Sequence, residues 1–354
     1  MATPAKRRRD LDPELEFLVV DDFLRDMLGA RALKSAFELG LIDHLMERHP
    51  ASLEELRQIA KADEAGAAFL LDMLGANQVV ERNPGGGFSL TAPFRIAMRY
   101  RDLLETKLDF SGFLAADYME LLTGLVVDPA GFMSRARLFK LFDYKRSVEP
   151  SVENYERTRI WMRLTTTLTR YEARGCLLAH DFSGYRNMLD IGGNSGEFVL
   201  QLCRKNPNLR ATVMDLPLVC DVGQEHVLPT PERDRIRFLK ADIRQAVPPG
   251  GFDLISFKSM LHDWPEQAAS DFVARAAAAL EPGGTLLIFE RAPLQLNGQT
   301  PPFCMLPTLL FFRSYRAAVI YERQLAALGF TDIQAREVVL EVPFFVVTGK
   351  KPLH

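Results

Sequence analysis

Cysteine is scarce in this chain: four in 354 residues (Cys176, Cys203, Cys220 and Cys304), with no C-x-x-C pair and no histidine at metal-ligand spacing. That excludes a disulfide framework and a metal site, and leaves reduced, mostly buried thiols of a cytoplasmic protein. A charge excess is also missing, since 43 Lys and Arg face 46 Asp and Glu for a formal net charge of −3. A dedicated nucleic-acid binder normally carries a strong basic surplus. No run approaches the ~18 apolar residues of a membrane span. The basic run Lys6-Arg7-Arg8-Arg9 is followed by no apolar segment and reads as a solvated tail, not a signal peptide. Internal repeats and low-complexity segments are absent too. What is present is ordinary for a globular protein: 47% apolar and 25% charged residues, in a chain long enough for two domains.

The first hundred residues (1–100) read as helices followed by a hairpin. Glu14 to Leu28 and Ala30 to Leu39 have helical patterns, broken by Gly29 and Gly40. Ser52-Leu53-Glu54-Glu55 is a capping box opening a short helix. A second helix from about Asp63 is expected to bury Phe69, Leu70, Met73 and Leu74. Val79-Val80-Glu81 and Phe88-Ser89-Leu90 flank a Pro-Gly-rich turn. Helix, helix, hairpin is a winged-helix arrangement, used either to read DNA or to pack against a second subunit. From Asp63 to Ala76 the would-be recognition helix has no Lys or Arg, which argues against DNA.

Residues 101–174 read as a helical connector that roofs a pocket: a helix near Leu103 to Leu125, a loop-like Arg- and Lys-rich stretch, then a long helix capped by Ser151 and reaching about Ala173. Ile160, Leu164, Leu168 and Tyr171 form one stripe of that helix; Trp161 and Met162 point to an adjoining face. From 175 to 354 strands and helices alternate, the mark of a mostly parallel sheet with helices on both sides. Strands are expected at Met188–Ile191, Ala211–Asp215, Ile236–Lys240, Leu254–Lys258, Thr285–Glu290, Ile333–Val338 and Phe344–Thr348.

The sharpest signal lies in MLDIGGNSGEF and TVMDLP. An apolar strand ends in Asp190, a glycine turn follows (Gly192, Gly193, Gly196), and the next strand closes on Asp215. An acid about twenty residues after such a turn is placed to hold the hydroxyls of a ribose. The glycine order differs from a pyrophosphate cradle, which favours a nucleoside without a diphosphate, of which S-adenosylmethionine is the common one. Ionisable residues recur at five consecutive strand ends: Asp190, Asp215, Asp242, Lys258 with His262-Asp263-Trp264 after it, and Glu290. One strand-end Asp is as often a helix cap; five in succession are not. The other histidines, His44, His49, His180 and His226, sit in helical or surface contexts with no evident partner.

In this order LDIGGNSGEF, VMDLP, FLKAD, FKSMLHDWP, LEPGGTLLIFE and LAALGF resemble the small-molecule O-methyltransferase family, which includes caffeic acid and hydroxyindole O-methyltransferases and many bacterial natural-product enzymes. The resemblance implies a Rossmann-like class I methyltransferase domain, doubly wound around a mostly parallel seven-stranded sheet, with an N-terminal winged-helix dimerisation domain, and hence a homodimer. It implies S-adenosyl-L-methionine as cofactor, S-adenosyl-L-homocysteine as product, and a small-molecule acceptor. Gly192, Gly193 and Gly196 would lie against the methionine part, with Asp190 beside them. Asp215 would take the ribose hydroxyls, with Leu216 next to it. Asp242 and Ile243 would meet the adenine, and Lys258 would line the pocket. His262 matches the general base and Glu290 the acid that orients it. A phenol of pKa near 10 needs such a base near neutrality. Trp161, Met162, Leu306, Leu310 and Arg313 are the candidate acceptor contacts, with a place in the core the favoured reading for Trp161 and Met162.

The sequence also departs from the family. Where a second acidic partner belongs, the chain reads Arg313-Ser314-Tyr315-Arg316. The preceding Asn-containing glycine loop is replaced by Leu309-Leu310-Phe311-Phe312, and Asn194 stands where a third glycine is common. A more apolar acceptor wall is expected, with Arg313 or Arg316 meeting an acidic or carbonyl group of the acceptor or lying on the surface. Methylation of carbon or nitrogen, and cofactor-dependent hydroxylation, decarboxylation or cyclisation, remain open, as does a nucleoside-sensing regulator.

Overall fold

Side-chain caps set where the helices of the first unit begin. Asp12, Asp26, Ser52 and Asp63 each accept a backbone N–H within the first turn of the helix that follows. The computed structural model describes residues 12–141 and 144–353, so the basic run Lys6-Arg7-Arg8-Arg9 lies outside the described residues. The chain divides into two units. The first takes the residues up to Leu122 together with Leu296–Thr308; the second takes Thr123–Gln295 and the residues from Leu309 onward.

In the first unit a 3-10 helix (Pro13–Leu24) precedes helices at Met27–Glu38, Leu41–Glu47, Leu53–Ala60 and Glu64–Ala76. A hairpin follows, β1 (Val80–Arg82) and β2 (Phe88–Leu90), paired Val80 to Leu90 and Arg82 to Phe88. Two expectations fail here. Gly29 does not break a helix: Asp26 caps Met27–Glu38 by accepting the Gly29 N–H at 2.8 Å, so the glycine lies inside the first turn. Nor does Glu64–Ala76 bury Phe69, which is 66% exposed; its inward stripe is Ala67, Leu71 and Leu74. The helix is apolar on nearly all sides, and the pattern could not choose its face.

A short helix (Ala92–Ala97) and a 3-10 turn (Met98–Tyr100) lead into a long helix, Arg101–Val127. Contrary to the composition reading, the helical stretch Ala92–Val127 is long and apolar enough to cross a bilayer by length and composition. One such helix does not establish a membrane span; Leu103, Leu104, Leu108 and Leu114 are buried, although only 28% of its most apolar window is. The stretch expected to be loop after it forms two short helices, Pro129–Arg135 and Arg137–Leu141, the first capped by Asp128.

In the second unit Ser151 opens a helix that runs beyond Ala173 to Ala179. Trp161 and Met162 of the adjoining face are buried, while of the expected stripe Tyr171 is buried and Ile160 is exposed. Seven strands follow: β3 (Asn187–Ile191), β4 (Arg210–Asp215), β5 (Ile236–Lys240), β6 (Phe252–Lys258), β7 (Leu280–Arg291), β8 (Thr331–Val339) and β9 (Pro343–Lys350). Their order in the sheet is β5-β4-β3-β6-β7-β9-β8, parallel except for β9, which is antiparallel to both of its neighbours. The order reverses between β3 and β6, the place where an open α/β sheet leaves a crevice at its carboxyl ends. Leu189, Ile191, Ile255, Phe257, Leu286 and Ile288 form the core of one face, covered by Phe272, Val273 and Ala276 of the Glu266–Ala279 helix. Each such side chain contributes roughly 1.5–3 kcal/mol by leaving water. The core thereby fixes the strand ends that carry the polar residues.

Candidate active site

At the end of β3 the chain turns on bare backbone. Gly192 has φ +70° and Gly196 φ +75°, and a Cβ on Gly193 would lie 2.6 Å from Asp190 Oδ2. The glycines are therefore required by the turn's own packing. Asp190 is fully buried; Oδ1 accepts from Ser256 at 2.5 Å, and Oδ2 has no hydrogen-bond partner. Burial pushes its pKa up to about 7 against the pull of Ser256 and Lys258.

Asp215, at the tip of β4, reaches back to this turn: Oδ2 accepts the Asn194 N–H at 2.8 Å and Oδ1 the Leu216 N–H at 2.7 Å. Burial raises it to about 6, offset by those two amides. Leu216 opens the Pro217–Val227 helix, and Ile243 is buried in the sheet core. Asp242 is bound by Arg244, whose guanidinium lies 5.4 Å from the centre of the Trp264 ring. The Lys258 ammonium donates to Thr169 Oγ1 at 2.9 Å and to Glu172 Oε2, both on the Val152–Ala179 helix.

The end of β7 meets the turn after β6 through one carboxylate. Glu290 Oε1 accepts the N–H groups of Met260 and Leu261, each at 2.8 Å, and Oε2 lies 2.7 Å from His262 Nδ1. On the other ring nitrogen, Asp263 Oδ1 is 3.5 Å from Nε2, and Asp263 Oδ2 accepts from the Tyr144 hydroxyl at 2.7 Å. Burial alone would weaken the imidazole's hold on a proton, but Glu290 and Asp263 outweigh it, and His262 lies above its ordinary pKa. Glu290, although buried, is held below the usual carboxylate range by the imidazole and the Leu261 amide. Asp263 is pushed up by burial, against the pull of His262 and Tyr144.

Tyr315, at the position where an acid was expected, packs its ring 5.1 Å from His262, and Phe311 stands edge-on at 5.5 Å. The wall around the imidazole is thus aromatic. Arg316 does not line it with charge, since it donates to the carbonyls of Leu261 at 2.9 Å and Trp264 at 2.5 Å. Arg313 is exposed and donates to the Val126 carbonyl at 2.7 Å. Trp161 and Met162 are buried in a small core with Val219 and Val222, and Leu310 is buried as well. Leu306 belongs to the first unit, where its carbonyl accepts from Tyr118 at 2.8 Å.

Sequence reasoning placed Asp263 at the strand ends without a role, and missed Tyr144, Glu172 and Arg291 as members of this cluster. A polar i, i+4, i+7 row, Thr165, Thr169 and Glu172, on a helix with apolar neighbours was the signal for the last pair. Three of the four histidines set aside have partners. His44 meets Glu55 at 2.9 Å, His180 meets the Tyr185 hydroxyl at 3.0 Å, and His226 meets Glu197 at 2.5 Å.

Among known proteins, residues 142–326 match the family model of the O-methyltransferase domain, and residues 23–94 that of the O-methyltransferase dimerisation domain. A 3-hydroxy-5-methyl-1-naphthoate 3-O-methyltransferase of Streptomyces sahachiroi is 36% identical over 124 residues, which is 35% of this chain and 36% of that protein. The chain thus spans about a third of that relative's length in the alignment. The tetracenomycin polyketide synthesis 8-O-methyl transferase of Streptomyces glaucescens is 29% identical over 339 residues, 92% of this chain and 94% of the relative. In architecture, human N-acetylserotonin methyltransferase, solved in complex with S-adenosylmethionine, superposes with a TM-score of 0.73 over 99% of both chains at 21% identity.

Proposed function

We propose that this chain, which belongs to the O-methyltransferase family, transfers a methyl group from S-adenosylmethionine to a hydroxyl of an aromatic or polyketide-like small molecule. The observation that carries the reading is the His262–Glu290 pair, an imidazole held through Nδ1 at 2.7 Å by a buried carboxylate at the carboxyl end of the sheet. The match of residues 23–94 to a dimerisation domain supports a homodimer as the working form.

The residues at the β3 and β4 ends fit the cofactor. Asp215 is a partly exposed acceptor at a strand tip, with lone pairs to spare beyond its two amide bonds. The turn from Gly192 to Gly196 presents backbone rather than side chains, and Asp190 Oδ2 waits buried and unpartnered beneath it. When bound, S-adenosylmethionine supplies an electrophilic methyl on a sulfonium centre. The protein's own work is to hold an acceptor oxygen in line with it and to remove that oxygen's proton. Glu290 keeps a hydrogen on Nδ1, which leaves Nε2 as the proton acceptor. Asp263, 3.5 Å from Nε2, then stabilises the imidazolium that forms. Phe311 and Tyr315 exclude water from the ring and offer an apolar face to a flat acceptor.

The test uses methyl-labelled S-adenosylmethionine with a panel of hydroxynaphthoates and polycyclic phenols, followed by mass spectrometry. The expected product carries one labelled methyl on oxygen. Product without label would replace this reading with a hydroxylase, decarboxylase or cyclase; label on carbon or nitrogen would move the acceptor atom. No turnover on any member of the panel would remove the acceptor class.

A further inference from the structure

One helix touches both halves of the site. From Val152–Ala179, Thr165 Oγ1 donates to Asn194 Oδ1 at 3.3 Å, Thr166 Oγ1 donates to Ser195 Oγ at 2.7 Å, and Arg170 Nε donates to Glu197 Oε1 at 3.2 Å. These three residues grip the glycine turn and the first turn of the helix after it. Two residues further on, Glu172 faces the other half. Its side chain is buried; Oε2 takes Lys258, the last residue of β6, and Oε1 takes Arg291, the last residue of β7.

Arg291 extends the link. Its other terminal nitrogen donates to Ser259 Oγ at 3.1 Å, and its Nε is buried with no acceptor. Ser259 has φ +49°, a left-handed conformation unusual for a side-chain-bearing residue, and it begins the turn that runs through Met260 and Leu261 to His262. Arg291 directly follows Glu290. Ser259, ahead of His262, and Arg291, after Glu290, are therefore tied to each other, and Arg291 in turn to the Glu172 carboxylate.

We propose that Glu172 is a positioning residue for the His262–Glu290 pair, acting through Arg291 and Ser259 to hold the imidazole in register with the glycine turn. This rests on the reading of His262 and Glu290 as the proton-handling pair, but the contact it governs can be observed without turnover. A buried carboxylate with two cationic partners is demanding, because removing it takes the ion pair from Lys258 and leaves Arg291 to the more distant Glu341, 4.0 Å away. Thr165 and Thr166 on the same helix make that rigidity useful: the distance between the turn that would hold the cofactor and the ring that takes the proton is set by one element. A misplacement of about 1 Å between reacting groups costs on the order of a hundredfold in rate.

The experiment is histidine-labelled nuclear magnetic resonance on the full chain, with His262 assigned from the His262→Ala spectrum. The wild type is expected to show a slowly exchanging Nδ1 proton shared with Glu290. In Glu172→Gln that proton should exchange at least about tenfold faster, while affinity for S-adenosylhomocysteine, read by calorimetry, stays within about threefold. Ser259→Ala, which removes only the outer link, should give a smaller acceleration in the same direction and serves if Glu172→Gln fails to fold. Unchanged Nδ1 exchange in whichever variant folds would overturn the proposal and leave Glu172 a purely structural charge. Because none of these readouts needs an acceptor, a failure here is separable from a failure of methyl transfer.

Discussion

Glu290 grips His262 with one oxygen at 2.7 Å and the turn that carries His262 with the other, through the amides of Met260 and Leu261 at 2.8 Å each. The ring and its backbone are thus positioned by a single side chain.

A pH-rate profile follows from that arrangement. His262 lies above its ordinary value, so kcat/KM should rise with pH through a midpoint above about 6.5, because the base works only when unprotonated. Glu290→Gln should move that limb to lower pH and reduce the plateau. Replacing His262 by Ala should cost ~10²–10⁴ in rate. A profile that does not move in Glu290→Gln would contradict the coupling.

The same pair sets a stability window. Glu290 is depressed in the fold, so its contribution is present above the unfolded carboxyl pKa and is lost as pH falls through its lower folded value. His262 is raised, so its share is complete below the unfolded value and is lost as pH climbs through the folded one. Urea unfolding of wild type and Glu290→Gln should therefore differ most in mildly acidic solution, less at alkaline pH where the imidazole share is gone, and least at low pH where the carboxylate is protonated.

For the cofactor, Asp215→Ala should weaken S-adenosylhomocysteine by about 10–100-fold, the ~1.5–3 kcal/mol of hydrogen bonds to a charged acceptor. Wild-type affinity should also fall as pH drops below about 6, where the Asp215 carboxylate takes up a proton. Calorimetry across pH measures both.

Tyr144→Phe removes the donor to Asp263 Oδ2 and should destabilise the fold by about 1–3 kcal/mol in chemical denaturation.

Met162, only 1% exposed, packs with Trp161, Val219 and Val222. Met162→Ala should cost about 2–5 kcal/mol in stability and leave the acceptor KM unchanged. A large KM change at normal stability would instead return Met162 to the acceptor wall.

How much of this was legible depended on the kind of contact. Strands such as Ile236–Lys240 could be read to the residue, because a short Ile-Arg-Phe-Leu-Lys alternation between turn signals has few alternatives. The DNA question turned on a missing charge in Glu64–Ala76, and composition shows that directly. The buried face of the same helix did not emerge, since Phe69, Leu70, Leu71, Met73 and Leu74 leave no polar side to define it. Glu290 beside His262 was accessible only through the resemblance. Tyr144 against Asp263, 119 positions apart, had no local signature. Glu172 was hidden for a simpler reason: an acid on a helix rich in Arg and Thr, with two further Glu, looks like a solvated face until the strand ends arrive beneath it.

The place of β9 between β7 and β8 has a mechanical consequence. Among the described residues β8 pairs with no parallel strand and joins the sheet by way of β9. A deletion that takes Pro343–Lys350 would therefore strip two strands at once and bare the flank of β7, the strand that ends in Glu290 and Arg291. Damage at the far rim of the sheet would reach the proton-handling histidine through a single missing ribbon.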